Sequence, residues 1–402
     1  MKQKIRLAVF ACILILTFLI AFISIILLPK KSTVPQIFVG VDIGFGGEND
    51  VYKVADAVSG FANLIIIGTS NVTRNTPELI RVCNYLYDKG LSFIIYVGFG
   101  RGTQYPPDGP AQDFFNTTVK QWGDKFLGAY IFDEVGGKQL DYAPGTQHYS
   151  DKPVKNATNY SDAAQQFIHV LNNALESYTG PSYYNVPSLK TFNSDYGLYW
   201  FDYLFGYNVV FAEFAGNHSR QLAIALCRGA ANVNHMEWGT MITWKYDHAP
   251  FLEEADQLYG DMVLAYENGA KYIMVFNSPE NQTTTTELGT LTTKHLDAMR
   301  RFWNYASTHV VPTIPTEHPV DTAYVLPRDY GFGFRGPNDT IWGLWDADNL
   351  APKIWNDITS LVAQYGSRLD IVYETLTDNL PARLMYDKLI FWNSTIIGRS
   401  GY

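Results

Sequence analysis

Between residues 37 and 306, eight short β-rich runs each precede a segment of helical periodicity. The strand runs are Ile37–Phe45, Asn63–Ser70, Ser92–Gly100, Phe126–Glu134, Ser188–Asn193, Asn208–Ala215, Gly239–Trp244 and Lys271–Asn277. Helical patterns follow at 50–59, 77–89, 111–122, 160–178, 197–205, 219–229, 253–268 and 290–306. Leu64-Ile-Ile-Ile67 is continuously apolar, as a strand covered on both faces requires. Eight consecutive βα units predict a closed (β/α)8 barrel, in which the chemistry sits where the strands end.

The N-terminus carries a separate signal. Met1–Arg6 is basic, Leu7–Leu28 is 22 residues without a charge, and Pro29-Lys30-Lys31 follows. At about 1.5 Å per residue such a helix spans roughly 33 Å, enough for a hydrocarbon core. No Ala-x-Ala-like cleavage site precedes Lys30, so an uncleaved signal anchor over residues 1–31 is expected. Eight N-x-[S/T] sequons begin at Asn71, Asn116, Asn156, Asn159, Asn217, Asn281, Asn338 and Asn393. They point to an extracytoplasmic globular part held at the cell membrane by a single span.

The expected organisation is this anchor, a barrel over 32–310, a proline-rich linker over 311–320 and a small α/β unit over 321–402. The linker reading rests on Val311-Pro-Thr-Ile-Pro-Thr-Glu-His-Pro319. In the last unit, Thr322–Leu326, Leu369–Glu374 and Lys388–Trp392 read as strands and Ala351–Gly366 as an amphipathic helix. The gap between the fourth and fifth strands holds a polar stretch, Gly136–Ser161, placed to cover a cleft at the strand ends.

Several classes of function are disfavoured. Net charge is −9 and no basic run lies outside the N-terminus, so a nucleic-acid partner is not expected. There is no CxxC or HExxH, and the eight His are scattered; no metal or cofactor is expected. Of the three Cys, Cys12 falls in the anchor, Cys83 in the second barrel helix and Cys227 in the sixth. Helices that far apart around the ring predict free thiols. Aromatics make up 15% of the chain, which suits the apolar faces of sugar rings.

The richest strand end is Asp133-Glu134. Two carboxylates closing an apolar strand need a reason, since burying charge is costly. Glycoside hydrolysis supplies one, because it uses a carboxyl pair, one as acid and one as nucleophile or base. Glu134 is the expected acid, supported by Asp133. Glu213, at the tip of the sixth strand, is the preferred partner. Glu237 competes with it, but a seventh strand starting near 239 would put it at the barrel bottom; Glu280, past the eighth strand, is a third candidate. Asp42, Asp195, Tyr196, Trp244, Tyr246 and Asn277 lie at other strand ends, and with Glu280 they form the expected substrate cradle.

Gly128-Ala-Tyr-Ile-Phe-Asp-Glu134, Phe211-Ala-Glu213, Trp238–Trp244 and Gly269–Phe276 together resemble a glycoside-hydrolase-type TIM barrel of the secreted or membrane-anchored archaeal kind. The likeness covers roughly residues 37–306. Ile341-Trp-Gly-Leu-Trp345 and Leu369–Glu374 are similar to the truncated flavodoxin-like domains attached to some glycosidase barrels. The resemblance implies hydrolysis of a glycan. Two competitors remain: a non-catalytic barrel that binds glycan or an envelope protein, and a lyase using Lys245 and Tyr246.

Overall fold

The computed structural model describes residues 37–98, 110, 114–117, 119–146, 149–179, 189–279, 286–309, 320–378 and 383–398. The expected anchor, the proline-rich segment 311–319 and Glu280 lie outside the described residues. No described helix is long and apolar enough to cross a membrane.

Eight parallel strands close into a barrel in sequence order, the eighth pairing with the first. They are β1 (Phe38–Ile43), β2 (Leu64–Ile67), β3 (Ser92–Val97), β4 (Phe126–Ile131), β5 (Thr191–Asp195), β6 (Val209–Phe214), β7 (Glu237–Ile242) and β8 (Tyr272–Asn277). The outer helices are α1 (Glu48–Val58), α2 (Thr76–Asp88), α3 (Val135–Asp141), α4 (Tyr160–Thr179), α5 (Tyr199–Phe205), α6 (Arg220–Asn234), α7 (Ala255–Glu267) and α8 (Thr293–Thr308). Side chains alternate along each strand and so build two cores. Leu64, Ile66, Ile94, Tyr130, Phe192, Phe211 and Met274 plug the barrel interior, while the outward set meets the helices.

Three strand and helix expectations are corrected. β5 runs Thr191–Asp195, later than expected, because its register on β6 pairs Phe192 with Val209 and Asp195 with Ala212. The helix expected over 111–122 is a single turn at Phe114–Thr117 followed by shorter turns. There Phe114 and Trp122 are buried with ring centroids 5.9 Å apart, so an aromatic plug replaces a regular helix face. β7 starts at Glu237 rather than Gly239.

The C-terminal residues form a four-stranded sheet in the order β10-β9-β11-β12, from β9 (Thr322–Leu326), β10 (Leu369–Tyr373), β11 (Lys388–Phe391) and β12 (Ile396–Gly398), with α9 (Ala351–Tyr365). Residues 37–402 cluster as one compact unit. The reason is visible at α6. Arg228, 1% exposed, reaches Asp370 Oδ1 at 2.8 Å and donates to the Ser367 and Leu369 carbonyls at 2.8 Å. Asn232 and Tyr386 complete the Asp370 carboxylate at 2.9 and 3.0 Å. A buried ion pair satisfied on every side can be kept, whereas a half-paired one could not.

The stretch after β4 also serves this docking. Gln139, fully buried, bonds both backbone groups of Val154 and donates to the Trp342 carbonyl at 2.8 Å, while Lys152 donates to the Gly343 carbonyl at 2.6 Å. Part of the segment expected to cover a cleft is a strap between barrel and sheet. Cys83 and Cys227 are buried free thiols.

Candidate active site

The β4 end is not the extended tip that alternation would suggest. The strand stops at Ile131, and Phe132 (φ 67°) and Glu134 (φ 52°) are left-handed. Bulky residues rarely accept that conformation, and where they do the surroundings hold them there. The Glu134 amide donates to the Ser194 carbonyl at 2.9 Å, tying the turn to β5. Asp195 does more. Its buried carboxylate accepts from the amides of Gly136 (2.6 Å), Gly137 (2.8 Å), Tyr196 (2.8 Å) and Gly197 (3.1 Å). A Cβ at Gly136 would lie 2.3 Å from the Gly197 oxygen, and one at Gly137 would lie 2.1 Å from the Tyr196 ring, so only glycine lets the two loops close. In place of the expected substrate contact, Asp195 positions the loop that carries Glu134. Burial pushes its carboxyl up to about 6 despite those four donors.

Asp133 and Glu134 share Lys138 on the next turn, at 3.1 and 3.5 Å. Asp133 also accepts from the Tyr130 hydroxyl at 2.7 Å. The Glu134 side chain is 32% exposed. Burial, and then the charge of Asp133, push its carboxyl up to about 7 against the opposing pull of Lys138.

Glu213 stands across the rim on β6, 6% exposed. It lies on the inward face with Val209 and Phe211, and accepts a short hydrogen bond from the Ser194 hydroxyl. Burial raises its carboxyl well above the usual range, and the charges of Glu134 and Asp133 raise it further. Asp42, at the end of β1, is raised by burial and by Asp133, and its Oδ1 has no partner. Tyr130 lies between these groups, its hydroxyl raised first by burial and then by Asp133, Asp42 and Glu213. Acids from β1, the β4 turn and β6 thus converge over one end of the barrel, with Lys138 the cation that pairs with the β4 acids.

The β7–β8–β1 side of that end is aromatic. Trp244 packs on Phe251 (5.0 Å) and Phe276 (5.8 Å), and Phe276 meets Phe45 edge-on at 6.3 Å. Phe45 is 48% exposed, and the buried Trp244 Nε1 has no partner. Tyr246 is exposed beside His248, and the Lys245 amine donates to Gln257 at 2.6 Å. Tyr196 donates to Asp141 at 2.8 Å. Asn277, expected in the cradle, is fully buried instead. Its amide donates to the Leu288 carbonyl and accepts from Thr290 and Leu291, so it is spent on holding the β8–α8 loop. Glu237 is removed from the candidate pair. It opens β7 at the opposite end of the barrel, bonded by Lys190 and Lys271 and, at 2.9 Å, by the Tyr272 hydroxyl. Burial raises its carboxyl, but those bonds outweigh it and leave it lowered.

Tyr130, Ser194, Lys138, Phe45 and Phe276 were not singled out by the sequence reading. Tyr130 and Ser194 could have been found from inward alternation, and Lys138 from its i,i+4 spacing to Glu134. Among the described residues no group of three His, Cys, Asp or Glu is placed to hold a metal ion.

The chain matches no protein-family model and no curated protein. Its fold is similar to that of GH5_18 from Streptomyces cattleya in complex with Manβ1-4GlcNAc, at 15% identity over 89% of this chain and 99% of that one, with a TM-score of 0.53. A second structure of the Streptomyces cattleya protein, in complex with GlcNAc, matches at 13% identity over 90% and 100% of the two chains, with a TM-score of 0.52. β-Galactosidase from Bacillus circulans matches at 9% identity over 89% of this chain and 67% of that one, with a TM-score of 0.50. These neighbours are glycoside hydrolases, and the likeness is one of fold: this chain is a (β/α)8 barrel of the architecture they use.

Proposed function

We propose that the chain is a glycoside hydrolase, with Glu134 as acid and Glu213 as nucleophile or base. The observation that carries this reading is that two acids stand at the same end of one parallel barrel, Glu134 in the turn that closes β4 and Glu213 near the end of β6. The charges of Glu134 and Asp133 add to burial in raising the Glu213 carboxyl. Two carboxyls that resist simultaneous ionisation suit a reaction needing one protonated and one not. A Glu134 carboxyl near 7 is half protonated at neutral pH, which suits proton transfer to a leaving group.

In the reaction, Glu134 gives its proton to the glycosidic oxygen as the bond from that oxygen to the anomeric carbon breaks. Glu213, whose raised carboxyl must first lose its proton, then attacks that carbon as a carboxylate or takes a proton from the water that does, and water completes the hydrolysis. Asp133 orients Tyr130 and Lys138, and the shelf of Phe45, Trp244 and Phe276 faces the apolar side of a sugar ring. The substrate is a carbohydrate, and the protein works outside the cytoplasm on a membrane anchor. The last point is supported by the apolar run Leu7–Leu28 and by the exposure of the sequon residues Asn71, Asn156, Asn159, Asn217, Asn338 and Asn393.

The test is release of reducing ends from a panel of glycans by the full chain, beside Glu134→Gln and Glu213→Gln. Turnover in the parent that is lost in both variants is expected. Turnover retained in either variant removes that residue from the mechanism. Sugar binding without turnover in the parent would make the barrel a glycan-binding module.

A further inference from the structure

Asp42 takes no part in the mechanism above, yet it stands among the acids that do. It is 7% exposed, its Oδ1 is buried without a partner, and the charge of Asp133 adds to burial in raising its carboxyl. That oxygen faces the mouth of the barrel. Asp42 shares the inward face of β1 with Phe38, and Gly68 lies two residues past the inward Ile66. A Cβ at Gly68 would fall 2.4 Å from Asp42 Oδ1, so the oxygen stands beside the space that the glycine leaves open.

The charges at this end are unevenly met. Lys138 pairs with Asp133 and Glu134. Among the described residues no cation is set against Asp42 or Glu213; other acids raise both, and the Ser194 hydroxyl pulls Glu213 the other way. Hydrolysis nevertheless needs Glu213 ionised. The hydroxyls of a neutral sugar donate hydrogen bonds but leave the acids facing one another. A positive charge beside them favours the ionised form directly. Among the described residues the acids are not grouped to hold a metal ion, whereas an ammonium brings three rotatable donors and needs no fixed polyhedron of ligands.

We propose that the substrate is a sugar with a free amino group, whose ammonium is held by Asp42 and Glu213. The proposal rests on the hydrolase reading and names the substrate class of the same site. With the cation in place, Glu213 releases its proton to solvent and stands ready as nucleophile or base. The substrate thus completes the charge balance that its own cleavage requires.

The test is equilibrium binding to the full chain in lipid nanodiscs, with empty nanodiscs as control. The probes are glucosamine, galactosamine and mannosamine, each beside its N-acetyl derivative and its parent hexose. At least one amine is expected to bind about tenfold or more tighter than both neutral counterparts. Asp42→Asn keeps the shape and removes the charge, so it abolishes that preference and leaves the N-acetyl sugar bound as before. Glu213→Gln does the same should the first variant fold poorly. Absence of any amine preference, or a preference undiminished in both folded variants, overturns the proposal. A parent that prefers the amines but cleaves no glycan of amino sugars keeps this site and overturns the hydrolase reading. A parent that cleaves neutral glycans and shows no preference for amines keeps the hydrolase reading and overturns this one.

Discussion

Glu213 and Glu237 occupy inward positions on neighbouring strands of one barrel, at opposite ends. Both lose water. Glu237 gains two lysines and a tyrosine hydroxyl in exchange, and its carboxyl is lowered. Glu213 gains a serine hydroxyl and faces two more acids, and its carboxyl is raised. Burial alone therefore does not separate the two carboxylates; what separates them is whether a cation stands beside the buried acid.

The largest effect should separate the two ends outright. Glu134→Gln and Glu213→Gln are each expected to lower kcat by about 10²–10⁴, the usual worth of positioned proton transfer. Glu237→Gln should leave kcat unchanged per folded molecule. Steady-state kinetics on protein of measured folded fraction checks this, and equal losses in all three would end the distinction. The same reading sets a pH profile. With Glu134 near 7, its proton is present at pH 6 and lost above 7, so kcat/KM should fall towards tenfold per unit on the alkaline side.

Asp370 carries the comparison to its compensated extreme. Asp370→Asn leaves Arg228 buried without its counter-charge, at a cost of about 3–5 kcal/mol. Denaturant unfolding measures it. A loss below about 1 kcal/mol would mean that the sheet does not depend on this pair for its seat on the barrel.

The two glutamates should also differ in the sign of their effect on stability. Glu237 has a lowered carboxyl, so its contribution is present above the unfolded value of 4.5 and lost as pH falls through it. Glu237→Gln should then cost about 1 kcal/mol at pH 7, modest because the site is part exposed, and little at pH 3. Glu213 has a raised carboxyl, so the folded state holds its proton more tightly and stability is lost as pH rises above 4.5. Glu213→Gln should raise Tm at pH 8 and leave it unchanged at pH 4. Melting curves of Glu237→Gln at pH 3 and 7 and of Glu213→Gln at pH 4 and 8, each beside the parent, suffice.

Much of the barrel could be read from the chain because a strand buried on both faces must be apolar throughout. Val209–Phe214 was therefore found within one residue at each end, and Leu64–Ile67 within one at its start and three at its end. β5 was misplaced for the converse reason: Thr191-Phe-Asn-Ser-Asp195 spends polar residues on Asn208, Glu213 and the β4 loop, so its pattern is not that of a core strand. The left-handed turn at Phe132–Glu134 was illegible because neither bulky residue signals it; long-range bonds from Ser194 and Asp195 impose it. Asp195 and Asn277 were correctly placed at strand ends, but the partners that set their roles, Gly136 and Gly137 for Asp195 and Leu288 for Asn277, lie 59, 58 and 11 residues away, beyond any local pattern. The docking of the C-terminal sheet through Arg228 and Gln139 was hidden for the same reason.

The smallest expected effect tests the opposite wall of the site. Phe45 closes the first expected strand run, Ile37–Phe45, and was given no role there, and yet its half-exposed ring extends the shelf of Phe276 and Trp244. An apolar side chain is left in water at a cost unless something covers it, and a sugar face is a suitable cover beside an acid cluster. Aromatic contacts are worth about 0.5–1.5 kcal/mol beyond area, so Phe45→Ala should raise KM roughly two- to tenfold. Because the Phe45 ring is half exposed in the free protein and carries no charge, kcat and Tm should hold steady. A KM unchanged within error would detach the aromatic wall from substrate and leave the acids as the whole of the site. A fall in kcat instead would mean that this ring helps to place the scissile bond, and that the two walls act together.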